Sequence, residues 1–141
     1  MANRNYNGVQ INQSVTIVAE AGAEIADVRN RIMKFDATGN VVLATAGSDI
    51  PVGIALIEAG NNDISGKESG KVETGADVDI QIKDIGIVLA GGSIKKGQEV
   101  AAGANGLAVS AASGNYVLGF ALANAEANQY LPVQIAKYKK N

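Results

Sequence analysis

Gly53-Ile54-Ala55-Leu56 returns 66 positions later as Gly119-Phe120-Ala121-Leu122, and this recurrence decides how the rest of the chain is read. Working upstream, the offset widens from 66 to 69 as the register slips in the turns. Gly47 then pairs with Gly114, Ala44 with Ala111, Val42 with Val109, Gly39 with Gly106, Ala37 with Ala104, Ile25 with Ile94 and Gly22 with Gly91. Glycine recurs where a turn must permit positive φ, and small or branched apolar residues recur where a strand would face a core. The chain reads as two copies of one β-unit. Two unrelated β-meanders built from the same small residues would lead to the same fold class.

Composition agrees with short strands and many turns. There are 17 glycines in 141 residues, aromatics make up 4% and Trp is missing, which disfavours long helices. Alternation and short branched runs bounded by Gly, Asn or Asp predict strands at 14–20, 40–44, 50–57, 77–83, 85–89, 99–102, 106–110, 115–122 and 131–138. Val78, Ile80 and Ile82 alternate with Asp79, Gln81 and Lys83, which gives one dry face and one wet face. Thr38-Gly39-Asn40, Lys96-Gly97 and Ser113-Gly114-Asn115 supply turn chemistry between strands. Over 20–33 the sequence leaves helix and extended chain both open. Ala21, Ile25, Val28 and Ile32 have the spacing of one helix face, whereas the repeat partner 91–100 reads as turn and strand.

The expected architecture is all-β: a compact β-barrel or β-sandwich built from two related half-units, with an extended N-terminal arm. Residues 14–138 form the domain, with half-units at 14–59 and 76–138, an exposed polar excursion at 60–75 and a basic tail at 139–141. A chain of 141 residues can bury about two-thirds of its unfolded surface without staples. The arm, 1–13, is Asn- and Gln-rich and is interrupted by Tyr6, Val9 and Ile11. It cannot bury itself, so it is disordered or ordered by a partner.

Catalytic chemistry has little to work with. Cys and His are both absent, which removes disulfides, thiolate nucleophiles, Cys-ligated metals and the commonest general base. The fourteen carboxylates fall mostly at strand ends, in turns or on wet faces, as solvated charge. Asp77, Asp79 and Glu73 lack calcium-loop spacing, and 86–92 lacks the phosphate-loop pattern. No catalytic, cofactor or metal residue is expected. A net charge of −2 and a pI near 5.1 argue against a nucleic-acid partner, and no apolar run approaches bilayer length, so no membrane partner is expected either.

Read in order, Val52 to Leu56, Ile85 to Leu89, Gly97 to Val100, Leu118 to Leu122 and Val133 to Ile135 resemble the successive motifs of the capsid cement, or head decoration, proteins of tailed bacteriophages. These are an early Gly-Val-Ala-Leu-like motif, a Gly-aliphatic strand, a Gly-Asp-x-Val-like step, a second Gly-x-Ala-Leu motif and a closing Val-x-Val-like strand. The resemblance spans 15–137. It departs at Gln98-Glu99, which replaces the usual acidic step, and in the length of the arm. It implies a non-enzymatic virion protein, made in the host cytoplasm, that binds the major capsid protein on the outer surface of an icosahedral shell, usually as a homotrimer. A polar arm also suits strand addition to a partner's sheet edge. The expected capsid-binding residues are therefore Asn3, Arg4, Asn5, Tyr6, Asn7, Val9, Gln10 and Ile11, with Gly53 and Gly119 as structural glycines. A self-assembling fibre or surface-layer subunit is the rival reading, and a carboxylate-dependent glycosidase or lyase the third.

Overall fold

The computed structural model describes residues 15–141; the arm and its expected binding residues lie outside them. The first sheet holds β1 (Thr16–Glu20), β2 (Ile32–Phe35), β3 (Val41–Leu43), β4 (Gly53–Ala55) and β5 (Asp77–Gln81) in the order β1-β5-β4-β2-β3. The second holds β6 (Ile85–Leu89), β7 (Glu99–Ala102), β8 (Ala108–Ser110), β9 (Tyr116–Ala121) and β10 (Tyr130–Lys139) in the order β6-β10-β9-β7-β8. All ladders are antiparallel. The second order is the first with each strand replaced by the one five places later.

The registers repeat residue by residue. Ala55 opposes Ile80 as Ala121 opposes Val133, Met33 opposes Gly53 as Val100 opposes Gly119, and Val42 opposes Lys34 as Val109 opposes Ala101. A single parallel bridge pinches each sheet closed, Ala21 to Val41 in one and Ala90 to Ala108 in the other. The fold is therefore all-β and sandwich-like, as the sequence predicts.

Alternation sets the core. On β5, Val78 and Ile80 are fully buried while Asp77 and Asp79 face solvent. One cluster, with Met33, Val41, Val78 and Ile80, fills the first unit. The other, with Val88, Val100, Leu118 and Leu131, fills the second and also takes in Ile32, Ala44 and Ile54 from the first. The docking is made possible at Gly86, where an added Cβ would lie 2.8 Å from Ile54 Cδ1. Removing that side chain lets Ile54 reach the second core.

The segment 20–33, which the sequence left open between helix and extended chain, is not helical, and several expectations change. Ala21, Ile25, Val28 and Ile32 are all buried, but their backbones bond to distant strands, as in Ile25 N–H to Val72 O and Val28 N–H to Gly70 O, both 2.9 Å. Helical spacing arose here from an irregular extended path that runs into a short strand, β2, at Ile32. The boundary between units falls at 82–84 instead of in the excursion, because β5 pairs with β1 and β4. The excursion is an insertion: the offset between the units drops from 66 at Ala55 and Ala121 to 53 at Val72 and Ala125. Gly47 is not the counterpart of Gly114, since the turns Ala46 to Asp49 and Ala112 to Asn115 match, which aligns Ser48 with Gly114. The basic tail is tied down. Lys139 belongs to β10, and Lys140 Nζ lies 2.9 Å from Glu99 Oε1 and 3.2 Å from Ala111 O.

Candidate interaction surface

Several of the charged groups are already engaged. Asp49 accepts from the Thr45 and Ala46 backbone N–H groups and pairs with Lys34 at 2.9 Å. Burial pushes its pKa up, but the bonds from Thr45 and Lys34 outweigh it and hold the carboxyl below the usual range. Asp27 behaves alike: burial opposes ionisation, and Arg29, bonded through Nε and Nη2 at 2.9 Å, more than reverses it. Tyr138 donates to Glu99, which pushes its phenol up to about 12 and holds Glu99 low. Among the described residues no three His, Cys, Asp or Glu groups converge as a metal site.

A cleft of about 660 Å³ is lined by Ile25, Val42, Leu43, Asp27, Arg31 and Lys34. Its cations are held, Lys34 by Asp49 and Arg31 through Nη1 to Asn105 O at 3.0 Å. Nothing there resembles a nucleophile with its base.

The outer face of the second sheet is different in kind. Its registers set Ile85 beside Gln134, with Phe120 on the far side of Gln134 in the same row, Ile87 beside Pro132, and Leu89 beside Tyr130. Ile85 is 57% exposed, Ile87 43% and Tyr130 61%, so a run of large apolar groups faces solvent across three strands. Phe120 leans on Tyr138 with ring centroids 5.9 Å apart. Ile87 also lines, with Ile57 of the first unit, a hollow between the units, and Ile57 is 59% exposed. Such a face marks a contact surface better than a reaction site.

The arm root lies close by. Val15 O accepts from Ile82 N–H at 3.0 Å, and Gln81, opposite Thr16, donates through Nε2 to Ile85 O at 2.8 Å. The chain therefore enters the described body at one corner of the apolar face. Sequence reasoning missed this face, although a signal existed: Ile85, Ile87 and Leu89 leave β6 apolar on both sides, more than one core needs.

The two glycines singled out from the sequence occupy matched places. At Gly53 an added Cβ would collide with Gln81 O, and at Gly119 with Gln134 O.

No family profile and no curated protein sequence matches the chain. Among solved structures, the crystal structure of the head fiber gp8.5 N base in bacteriophage phi29 is similar, with a TM-score of 0.65 and 21% sequence identity, covering 92% of this chain and 99% of that one. At that identity the likeness concerns the fold.

Proposed function

We propose that this chain is a non-enzymatic virion structural protein that docks on the outer surface of a phage capsid and stabilises it. The observation that carries the reading is the exposed apolar face of Ile85, Ile87, Phe120 and Tyr130 beside the arm root, on a fold shared with a phage head fiber base. The motif resemblance to cement proteins points the same way. In this reading the arm, through Val9 and Ile11, and the apolar face engage the major capsid protein together, and three copies associate, in solution or on the shell.

The engaged carboxylates and the absence of His and Cys support binding over catalysis. Co-sedimentation of the purified protein with capsids prepared without it tests the reading. Saturable pelleting is expected; pelleting at background would contradict it. A second reading, a base that anchors a projecting fibre, is favoured by the head fiber named in the similar structure. Concentration-dependent polymerisation in the absence of capsids would favour a self-assembling fibre subunit instead.

A further inference from the structure

The internal repeat contains its own control experiment on sheet edges. On β6, Gly86 and Val88 bond inward to β10, so Ile85, Ile87 and Leu89 turn their backbone groups outward. The first unit caps them. Leu89 N–H donates to Asn30 O at 2.9 Å, Asn30 Nδ2 donates to Ile87 O at 2.9 Å, and Gln81 Nε2 donates to Ile85 O at 2.8 Å.

The matching strand in the first unit is β1, where Thr16, Val18 and Glu20 take the places of Ile85, Ile87 and Leu89. Bonds from Ile82 N–H to Val15 O and from Ala21 N–H to Ala76 O bracket its inner ladder, so those three residues again face outward. All three are exposed, Val18 by 59%, and among the described residues nothing bonds to their backbone groups. The counterpart of Asn30 is Gly97, which has no side chain to cap with. Both donate their N–H in the same place, to Ala55 O and Ala121 O.

Charge gives the edge a second character. Glu20 stands opposite Asp77 and Val18 opposite Asp79, while the ion pairs of the described residues fall on Asp27, Asp49, Glu24, Glu68, Glu73 and Glu99. We infer that the β1 edge accepts an extended strand of the capsid protein by β-addition, and that this strand carries Lys or Arg on the face meeting Glu20, Asp77 and Asp79. An edge left uncapped by the described residues is a template for such pairing. The inference rests on the capsid-docking reading and specifies where the partner's chain lies.

The test is positional. In Val18→Pro the lost N–H faces outward, so the fold and melting temperature are kept, whereas Ile17→Pro breaks the ladder to Ile80 and lowers the melting temperature. Against capsids prepared without the protein, Val18→Pro is expected to bind roughly tenfold more weakly or worse. Glu20→Lys with Asp79→Lys should weaken binding at low salt, with the difference shrinking at high salt. Amide exchange at Val18 and Glu20 should slow on capsid binding. If wild-type protein binds and Val18→Pro binds equally well, the edge inference is overturned and the docking reading stands. If wild-type protein binds no capsid, both fall. Amides at Val18 and Glu20 already protected in the free chain, and released by deleting 1–13, would assign the edge to the arm of this or a second copy and overturn the inference.

Discussion

Gly53 and Gly119 stand at the same step of two different sheets, and each is packed against the carbonyl of a glutamine, Gln81 or Gln134, that itself occupies matched positions on β5 and β10. Backbone approaching backbone leaves no side chain to swing away. Valine at either position should therefore destabilise by about 1–3 kcal/mol through overpacking. Gly92→Ala, where an added Cβ meets nothing within 4 Å, should stay within about 0.5 kcal/mol of wild type. Chemical denaturation of the three variants checks the ranking; a tolerated Val at both positions would break the equivalence.

The units should separate in stability when their clip is cut. Asn30 is 5% exposed, adopts φ 57° and holds Ile87 O through its amide. Asn30→Ala leaves that carbonyl unpaired and keeps a positive φ that Ala disfavours, so a loss of about 1–3 kcal/mol is expected. Differential scanning calorimetry should show the midpoint falling. An unchanged midpoint would mean that the clip contributes nothing to docking.

Acid should weaken the fold below the ordinary carboxylate range. Asp27 and Asp49 are held below the ordinary aspartate range when folded, so the stability they contribute is present above about pH 4 and is lost as pH falls through their folded values. Asp49→Asn removes the Lys34 pair and should flatten that part of the profile. Urea midpoints measured from pH 6 down to pH 2 check this; identical slopes for both proteins would contradict the assignment.

Much of the architecture was legible because the repeat is written in glycine. Gly39 and Gly106 both adopt positive φ, 87° and 70°, and the turns around them match as the spacing predicts. What stayed undecided or unseen was local. Ala21 to Ile32 carries helical spacing that long-range bridges override, and β2 at Ile32–Phe35 lacks the alternation that betrays a strand. The unit boundary was hidden by a polar insertion that resembles a linker, although it lies between β4 and β5 of one sheet. The exposed outer face of β6 and β10 was not singled out, because apolar side chains alone do not say which face has a neighbour. Asn30 as an edge cap was beyond reach, since its partner lies 57 positions away.

The arm can be separated from the body. Deleting residues 1–13 should leave the melting temperature almost unchanged while capsid binding collapses. Replacing Val9 and Ile11 together by Asp should weaken binding nearly as much, because desolvating a charge at an apolar anchor costs several kcal/mol. Full-affinity binding by the truncated protein would move the contact to the described body, at the apolar face and the β1 edge.

The most direct measurement is the temperature at which capsids rupture, recorded with and without bound protein and with an Ile85→Asp, Ile87→Asp double variant. A ligand that prefers the intact shell stabilises it by mass action, so wild-type protein should raise the rupture temperature in proportion to occupancy and the double variant should fail to do so while remaining folded. No saturable binding and no shift with the wild-type protein would contradict the claim that this chain fastens a capsid.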